Sequence, residues 1–175
     1  VMKQPKVTLK KVKTFLGMEG YGVNADVYVD GKLACVAIDS GDGGCMDFQP
    51  NYKNLEQSKA LIKKLEDYCA SLPKKIIKVG GKDYKHQPTM EDFINDKLME
   101  WANEKDKKKT ERLYKQAIVF GKPNGTSYKY LKYKKPLAEI NKNALQLQVD
   151  VVKKQRCKNG EVILNTNLEE LGITV

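Results

Sequence analysis

Seven consecutive residues, Asp39-Ser40-Gly41-Asp42-Gly43-Gly44-Cys45, bring two carboxylates, three glycines and a thiol together. Glycine at this density serves a backbone that needs positive φ or that lets another group come close. Several chemistries fit the loop. Its successive N–H groups could form an anion-binding nest, although Asp39 and Asp42 would repel phosphate. With Asp47, the same carboxylates could hold a hard cation for a metal-dependent hydrolase or nuclease, although the spacing is not that of an EF-hand. The loop could also touch a macromolecular partner. Against all of these stands a tight connection whose Asp side chains close turns. A dinucleotide fingerprint does not fit, because the third glycine and the following βαβ unit are missing. Cys45 would be activated near a helix start, but His86, in a polar loop, is the single imidazole available as its base. A small half-buried thiol is the simpler reading.

The second constellation is Tyr128-Lys129-Tyr130-Leu131-Lys132-Tyr133-Lys134-Lys135. Aromatic rings interleaved with lysines suit nucleic acid, with rings stacked on bases and ammonium groups on phosphates. No RNP consensus is present. The competing reading packs the tyrosines on the core and lets the lysines reach outward. Carboxylate pairs at Glu91-Asp92 and Glu169-Glu170 lie near helix starts, where the helix dipole accounts for them.

Charge supports an anionic partner. The 175 residues carry 32 Lys and Arg against 22 Asp and Glu, a net charge of +10. Residues 1–50 hold six of each sign, so the excess falls after residue 50. Such an excess fits nucleic acid, a membrane surface or an acidic protein, or simply a lysine-rich surface. Four cysteines (35, 45, 69 and 157) without CxxC spacing, and one histidine, argue against an ordinary zinc site and for free thiols in a reducing compartment. No cofactor is expected. No apolar run has the length of a membrane span, and no signal-peptide core is seen. Met2 reads as the native start, with Val1 a remnant ahead of it.

The elements that must position these groups follow from periodicity. Residues 6–15 read as a strand with an irregularity at Lys10-Lys11, and Gly17 to Gly22 as a loop. Ala25, Val27 and Val29 share one face of a second strand. Asp30-Gly31 is a hairpin turn, Leu33 to Ile38 the return strand, and the glycine loop runs on towards Pro50. Leu55, Ser58, Leu61, Ile62, Leu65, Tyr68, Cys69 and Leu72 form a helical stripe that Pro73 ends. Residues 76–79 read as extended and 80–88 as a loop. Thr89-x-x-Asp92 is a capping box that opens a second helix, with 104–110 expected to fray or turn. Residues 116–120 and 126–133 are strands joined by an Asn-Gly turn. From Pro136 the pattern suits a helix, although 145–151 also alternates as a strand would. Val162 to Leu164 suits a short strand. Runs of strands and of helices, rather than βαβ alternation, predict an α+β fold. An antiparallel sheet, made of an N-terminal hairpin or meander and a second hairpin, would pack with two to three helices in a single domain over residues 1–175.

The hairpin at 24–38 followed by Asp39–Cys45 resembles a group of small proteins carried by tailed bacteriophages and prophages. In that group a hairpin is followed by an Asn/Asp-rich Gly-x-Gly-Gly-Cys loop, then a helix, a lysine-rich stretch and an aromatic-basic hairpin. Ser40 stands where the group's pattern has Asp. The resemblance implies an accessory protein acting in the cytoplasm of a bacterial host, binding nucleic acid or a host protein rather than catalysing a reaction. The sequence therefore favours a non-enzymatic protein that binds nucleic acid through residues 128–135. The alternatives are a module that modulates a host factor through the glycine loop (Asp39, Gly41, Asp42, Gly43, Gly44, Cys45) and the Tyr21-Gly22 loop, and the metal-dependent hydrolase.

Overall fold

A computed structural model describes residues 2–175, leaving Val1 outside the described residues. The fold is α+β, with antiparallel sheets and three α-helices. The chain divides into two compact units, one ending at Ala102 and the other spanning Asn103–Val175.

The first unit is built on a meander of β1 (Val7–Leu16), β2 (Tyr21–Val29), β3 (Lys32–Asp39) and β4 (Asp47–Pro50), in that spatial order. Asp30 and Gly31 both have positive φ (50° and 82°), the backbone of a two-residue turn that matches strand twist. The Asp30 carboxylate accepts from the Lys6 N–H at 3.0 Å and pairs with Lys64 at 2.6 Å, which fastens the turn to its neighbours. Lys11, at φ 50°, marks a bulge where the β1–β2 register shifts between Lys10 and Lys13, as the sequence suggests. A second shift in β2–β3 turns both Ala34 and Cys35 inward, so two adjacent residues are fully buried.

α1 (Leu55–Ser71) lays Leu65, Tyr68 and Cys69 on that sheet, and its hydroxyl-bearing Ser58 bonds the Ala34 carbonyl inside the core. The core is completed by Val27, Val29, Met46, Met90 and Ile94. Burial pushes the Cys35 thiol up to about 12, so it behaves as a small apolar side chain.

The structure corrects several boundaries. The segment running towards Pro50 contains β4, which pairs with β3. Residues 80–88 are not all loop, because β5 (Lys75–Val79) and β6 (Lys82–His86) form a two-stranded ribbon. His86 is consequently a strand residue, half-buried, with its Nε2 2.7 Å from Asp92 Oδ2. Residues 104–110 stay helical within α2 (Met90–Tyr114). Glu and Lys are good helix formers, and Glu104–Lys108 is an i,i+4 pair at 2.9 Å.

The capping box at the start of α2 is present. Asp92 Oδ2 accepts from the Thr89 N–H and hydroxyl, both at 2.8 Å, and Thr89 Oγ1 accepts from the Asp92 N–H at 3.2 Å.

The second unit takes the last part of α2, a sheet in the order β8 (Tyr128–Lys132), β7 (Ala117–Gly121), β9 (Val162–Ile163), and α3 (Lys142–Val151). β7 is central and buried at all five positions. Ile118 and Phe120 meet Leu145, Val149 and Val152 in its core. α3 begins at Lys142, not Pro136. Asn141 caps it by accepting from the Asn143 and Ala144 N–H groups, and a 3-10 turn, Leu137–Glu139, occupies the residues before it. Residues 145–151 are helical, and the helix widens into a π turn over Val152–Arg156.

Candidate functional site

The period of two divides the aromatic-basic segment into two faces. Leu131 is paired with Ile118, and Leu131 and Tyr133 pack against the second unit's core. Tyr128, Tyr130 and Lys132 therefore point to the opposite face of β8. There Tyr128 is 41% and Tyr130 52% exposed. Their ring centroids are 6.5 Å apart with planes inclined by 50°. β8 lies at the edge of its sheet, so one row of its backbone groups has no neighbouring strand.

The lysines differ in their engagement. Lys129 bridges to Glu161 at 2.8 Å, and that contact, with the Lys158 N–H, holds the Glu161 carboxyl below its usual range. Lys132, Lys134 and Lys135 are exposed and form no ion pair with a described residue. The structure thus gathers Tyr128, Tyr130 and Lys132 on one face, with Lys134 and Lys135 just beyond. Tyr133 is separated from them. Its hydroxyl is buried with no hydrogen-bond partner among the described residues, and burial raises its pKa.

Charge is concentrated in the same unit. Residues 103–175 carry sixteen Lys and Arg against eight Asp and Glu, a net of +8 out of the chain's +10. Lys153, Lys154 and Arg156 lie on the π turn that continues α3, the helix covering the sheet's other face. Burial, then Glu161, raises the Cys157 thiol there, while Lys153 and Lys129 oppose them. That run therefore borders the Lys129 side of β8 and not the tyrosine face.

The glycine loop has a different character. The Asp39 carboxylate accepts from the Gly41 N–H at 2.8 Å, and Asp42 from the Gly44 N–H at 3.1 Å. The latter bond, helped by Ser40, lowers the Asp42 pKa. The glycines permit backbone contact with the β1–β2 turn, where the Glu19 N–H donates to the Gly41 carbonyl at 2.8 Å. A Cβ on Gly17 would stand 2.5 Å from the Gly41 oxygen, and one on Gly41, at φ 67°, 2.7 Å from the Gly22 nitrogen. Asp47 stands on β4 and accepts from the Gln49 side chain at 3.1 Å. No group of three or more His, Cys, Asp or Glu among the described residues is placed to share a metal ion. Cys45 is exposed rather than half-buried, because the loop that carries it lies at the surface, while His86 is committed to Asp92.

Two features were not read from the sequence. Asn165 is nearly buried and serves as a side-chain extension of the sheet where β9 ends. It accepts from the Val119 N–H at 2.6 Å and donates to the Ala117 carbonyl at 2.9 Å. Asn167 donates to the last carbonyl of α2, Tyr114, at 3.0 Å. The only sequence signal was two asparagines in a loop. A cleft of about 700 Å³ runs between the end of α2 and the C-terminal segment, with Arg112 and Lys115 offset by Glu111 and Glu170. Its lining comes from three distant stretches, which no local pattern reveals.

No helix among the described residues is long and apolar enough to cross a membrane. No family model, no curated protein and no solved structure matches the chain.

Proposed function

We propose that the protein is a non-enzymatic accessory protein of phage type that binds nucleic acid through the outer face of β8. The supporting observation is that Tyr128, Tyr130 and Lys132 share an open face at a sheet edge, in the unit that holds most of the chain's net positive charge. Rings of this kind stack on bases, and Lys132, Lys134 and Lys135 meet phosphates. The test is fluorescence anisotropy with labelled single-stranded DNA, duplex DNA and RNA across a salt titration. Micromolar binding with a steep salt slope is expected. An absence of binding at low salt would sink the reading.

A second reading has its own support. Leu16, Met18 and Tyr21 are 78%, 94% and 79% exposed on the turn that packs against the glycine loop. A large apolar tip on a rigid turn suits a protein partner, and a bacterial host factor is the one the resemblance suggests. A pull-down from host lysate should recover a stoichiometric partner that Met18→Asp and Tyr21→Asp together abolish.

A further inference from the structure

The β5–β6 ribbon is not explained by the fold of its unit. A two-stranded hairpin is marginal in water unless one face is covered, yet β5 is exposed throughout and β6 at all but His86. Ile76 is 68%, Val79 56% and Tyr84 51% exposed. Its turn, Gly80-Gly81, has positive φ at both residues, and nothing lies within 4 Å of where either Cβ would be.

Hydrogen bonds hold the ribbon at its base. His86 bonds Asp92, and the Gln87 amide donates to the carbonyls of Cys69 and Leu72 at 3.0 and 3.1 Å, closing the end of α1. Residues 74–86 carry five lysines (74, 75, 78, 82 and 85) against one aspartate, and none of the five is ion-paired with a described residue. By register, Ile77 stands opposite Tyr84 and Val79 opposite Lys82, which gives one face an apolar stripe between lysines.

We infer that this ribbon enters a groove of duplex DNA as a second contact element, separate in sequence from β8. The inference takes its partner class from the nucleic-acid reading above, and its site from the ribbon alone. Size and charge favour this occupant. Five residues of strand project about 16 Å at 3.3 Å per residue. A ribbon fits a major groove about 12 Å wide and about 8.5 Å deep. Lys75 and Lys82 share the face of Val79 and Tyr84 and enter the groove with them, while Lys78 and Lys85, on the other face, reach around the ribbon's edges to phosphates at the groove walls. The Val79 and Tyr84 side chains reach base edges that a single strand would not present as a groove.

The experiment compares the full chain with a ribbon variant (Lys78→Ala, Lys82→Ala, Lys85→Ala) and a β8 variant (Lys132→Ala, Lys134→Ala, Lys135→Ala). Each is titrated with a 20-base-pair duplex and a 20-nucleotide single strand over a range of salt. All six lysines are exposed, so melting temperatures should match. The ribbon variant should lose roughly tenfold or more in duplex affinity, its salt slope should shrink by about 2 to 3, and single-strand binding should hold. In the unaltered chain, Lys78, Lys82 and Lys85 should become protected from an acetylating reagent when the duplex is added. An unchanged ribbon variant beside a weakened β8 variant would overturn the ribbon and leave the β8 reading standing. The reverse would overturn β8 as the site and support the ribbon. An equal loss on single strands, or lysines that react as in the free protein, would overturn groove binding. No binding by the unaltered chain to either probe would overturn both.

Discussion

The glycine loop and the outer face of β8 are both unusual in sequence, and the structure accounts for them in opposite ways. The loop's features are used within the fold. Asp39 and Asp42 close their own turns, and Gly17 and Gly41 let two backbone segments touch. Lys129 of β8 is bridged to Glu161, but Tyr128, Tyr130 and Lys132 have no such internal use. Tyr128, Tyr130 and Lys132 point away from the core that Leu131 and Tyr133 help to fill. Composition marks both stretches, but the loop's carboxylates are engaged by its own backbone, whereas Tyr128, Tyr130 and Lys132 face solvent. The contrast gives the first region a role in stability and underlies the proposal that the second is a recognition surface.

The largest test of that contrast is Gly41→Ala. It places a Cβ 2.7 Å from the Gly22 nitrogen at a backbone φ of 67°. Left-handed strain and overpacking together should cost about 2–4 kcal/mol. The first unit should melt on the order of 10 °C lower. A normal melting temperature would mean that the loop tolerates displacement, and that its glycines need another explanation.

Next in size is the converse substitution set, Lys132→Ala, Lys134→Ala and Lys135→Ala. Stability should stay within about 0.5 kcal/mol, as for surface changes generally. Nucleic-acid affinity should fall by about ten- to a hundredfold at low salt, with a salt slope smaller by about 2 to 3. If affinity holds, β8 is not the site, whatever its composition.

A smaller effect belongs to Asp92, another group whose chemistry is used within the fold. Burial would raise its pKa, but hydrogen bonds from His86 and from the Thr89 backbone and hydroxyl outweigh it and bring the carboxyl to about 2. Its folded pKa is depressed, so its contribution is complete above the ordinary carboxylate range and is lost as pH falls from about 4 through about 2. Asp92→Ala should cost about 1 kcal/mol near neutral pH. Acid unfolding curves of the variant and the unaltered chain should then converge below about pH 2. Curves that remain parallel would place the cost elsewhere than in the carboxylate.

How far the sequence revealed all this depended on whether a local signal existed. Asp30-Gly31 and the alternation of Ala25, Val27 and Val29 placed the β2–β3 hairpin, and the leucine stripe placed α1, because each carries its own periodicity. β4 was missed because Asp-Phe-Gln-Pro is too short to alternate, and its place is decided by pairing with β3. β6 was missed for a related reason. Lys82–His86 contains one large apolar residue, Tyr84, and its partner strand sits across a Gly-Gly turn that read as an ending. The charged half of α2 looked like a breaker because it has no apolar stripe, while good helix formers and the Glu104–Lys108 pair support the helix instead. The aromatic-basic segment was legible as a candidate from composition. Which of its rings face solvent was not, because that depends on the β7 register and on what covers the sheet's other face.

That division of faces sets the finest test, Tyr133→Phe against Tyr130→Ala. Tyr133 keeps its hydroxyl buried without a partner among the described residues, so removing the oxygen abolishes a desolvation cost and leaves the packed ring in place. The Phe variant should match or exceed the original stability by up to about 1 kcal/mol. The alkaline limb should separate the two proteins further. Burial raises the folded pKa of Tyr133, so its contribution holds below about pH 10 and fades as pH climbs through the folded value. The Phe variant lacks that loss. Nucleic-acid affinity should not change in Tyr133→Phe, whereas Tyr130→Ala should cost about 1–3 kcal/mol of binding if its ring stacks on a base, with little change in melting temperature. The two residues are three apart on one short segment, with the same side chain and lysine beside each. Equal binding losses in both would break the two-face division, and with it the argument that orientation rather than composition makes β8 a recognition surface.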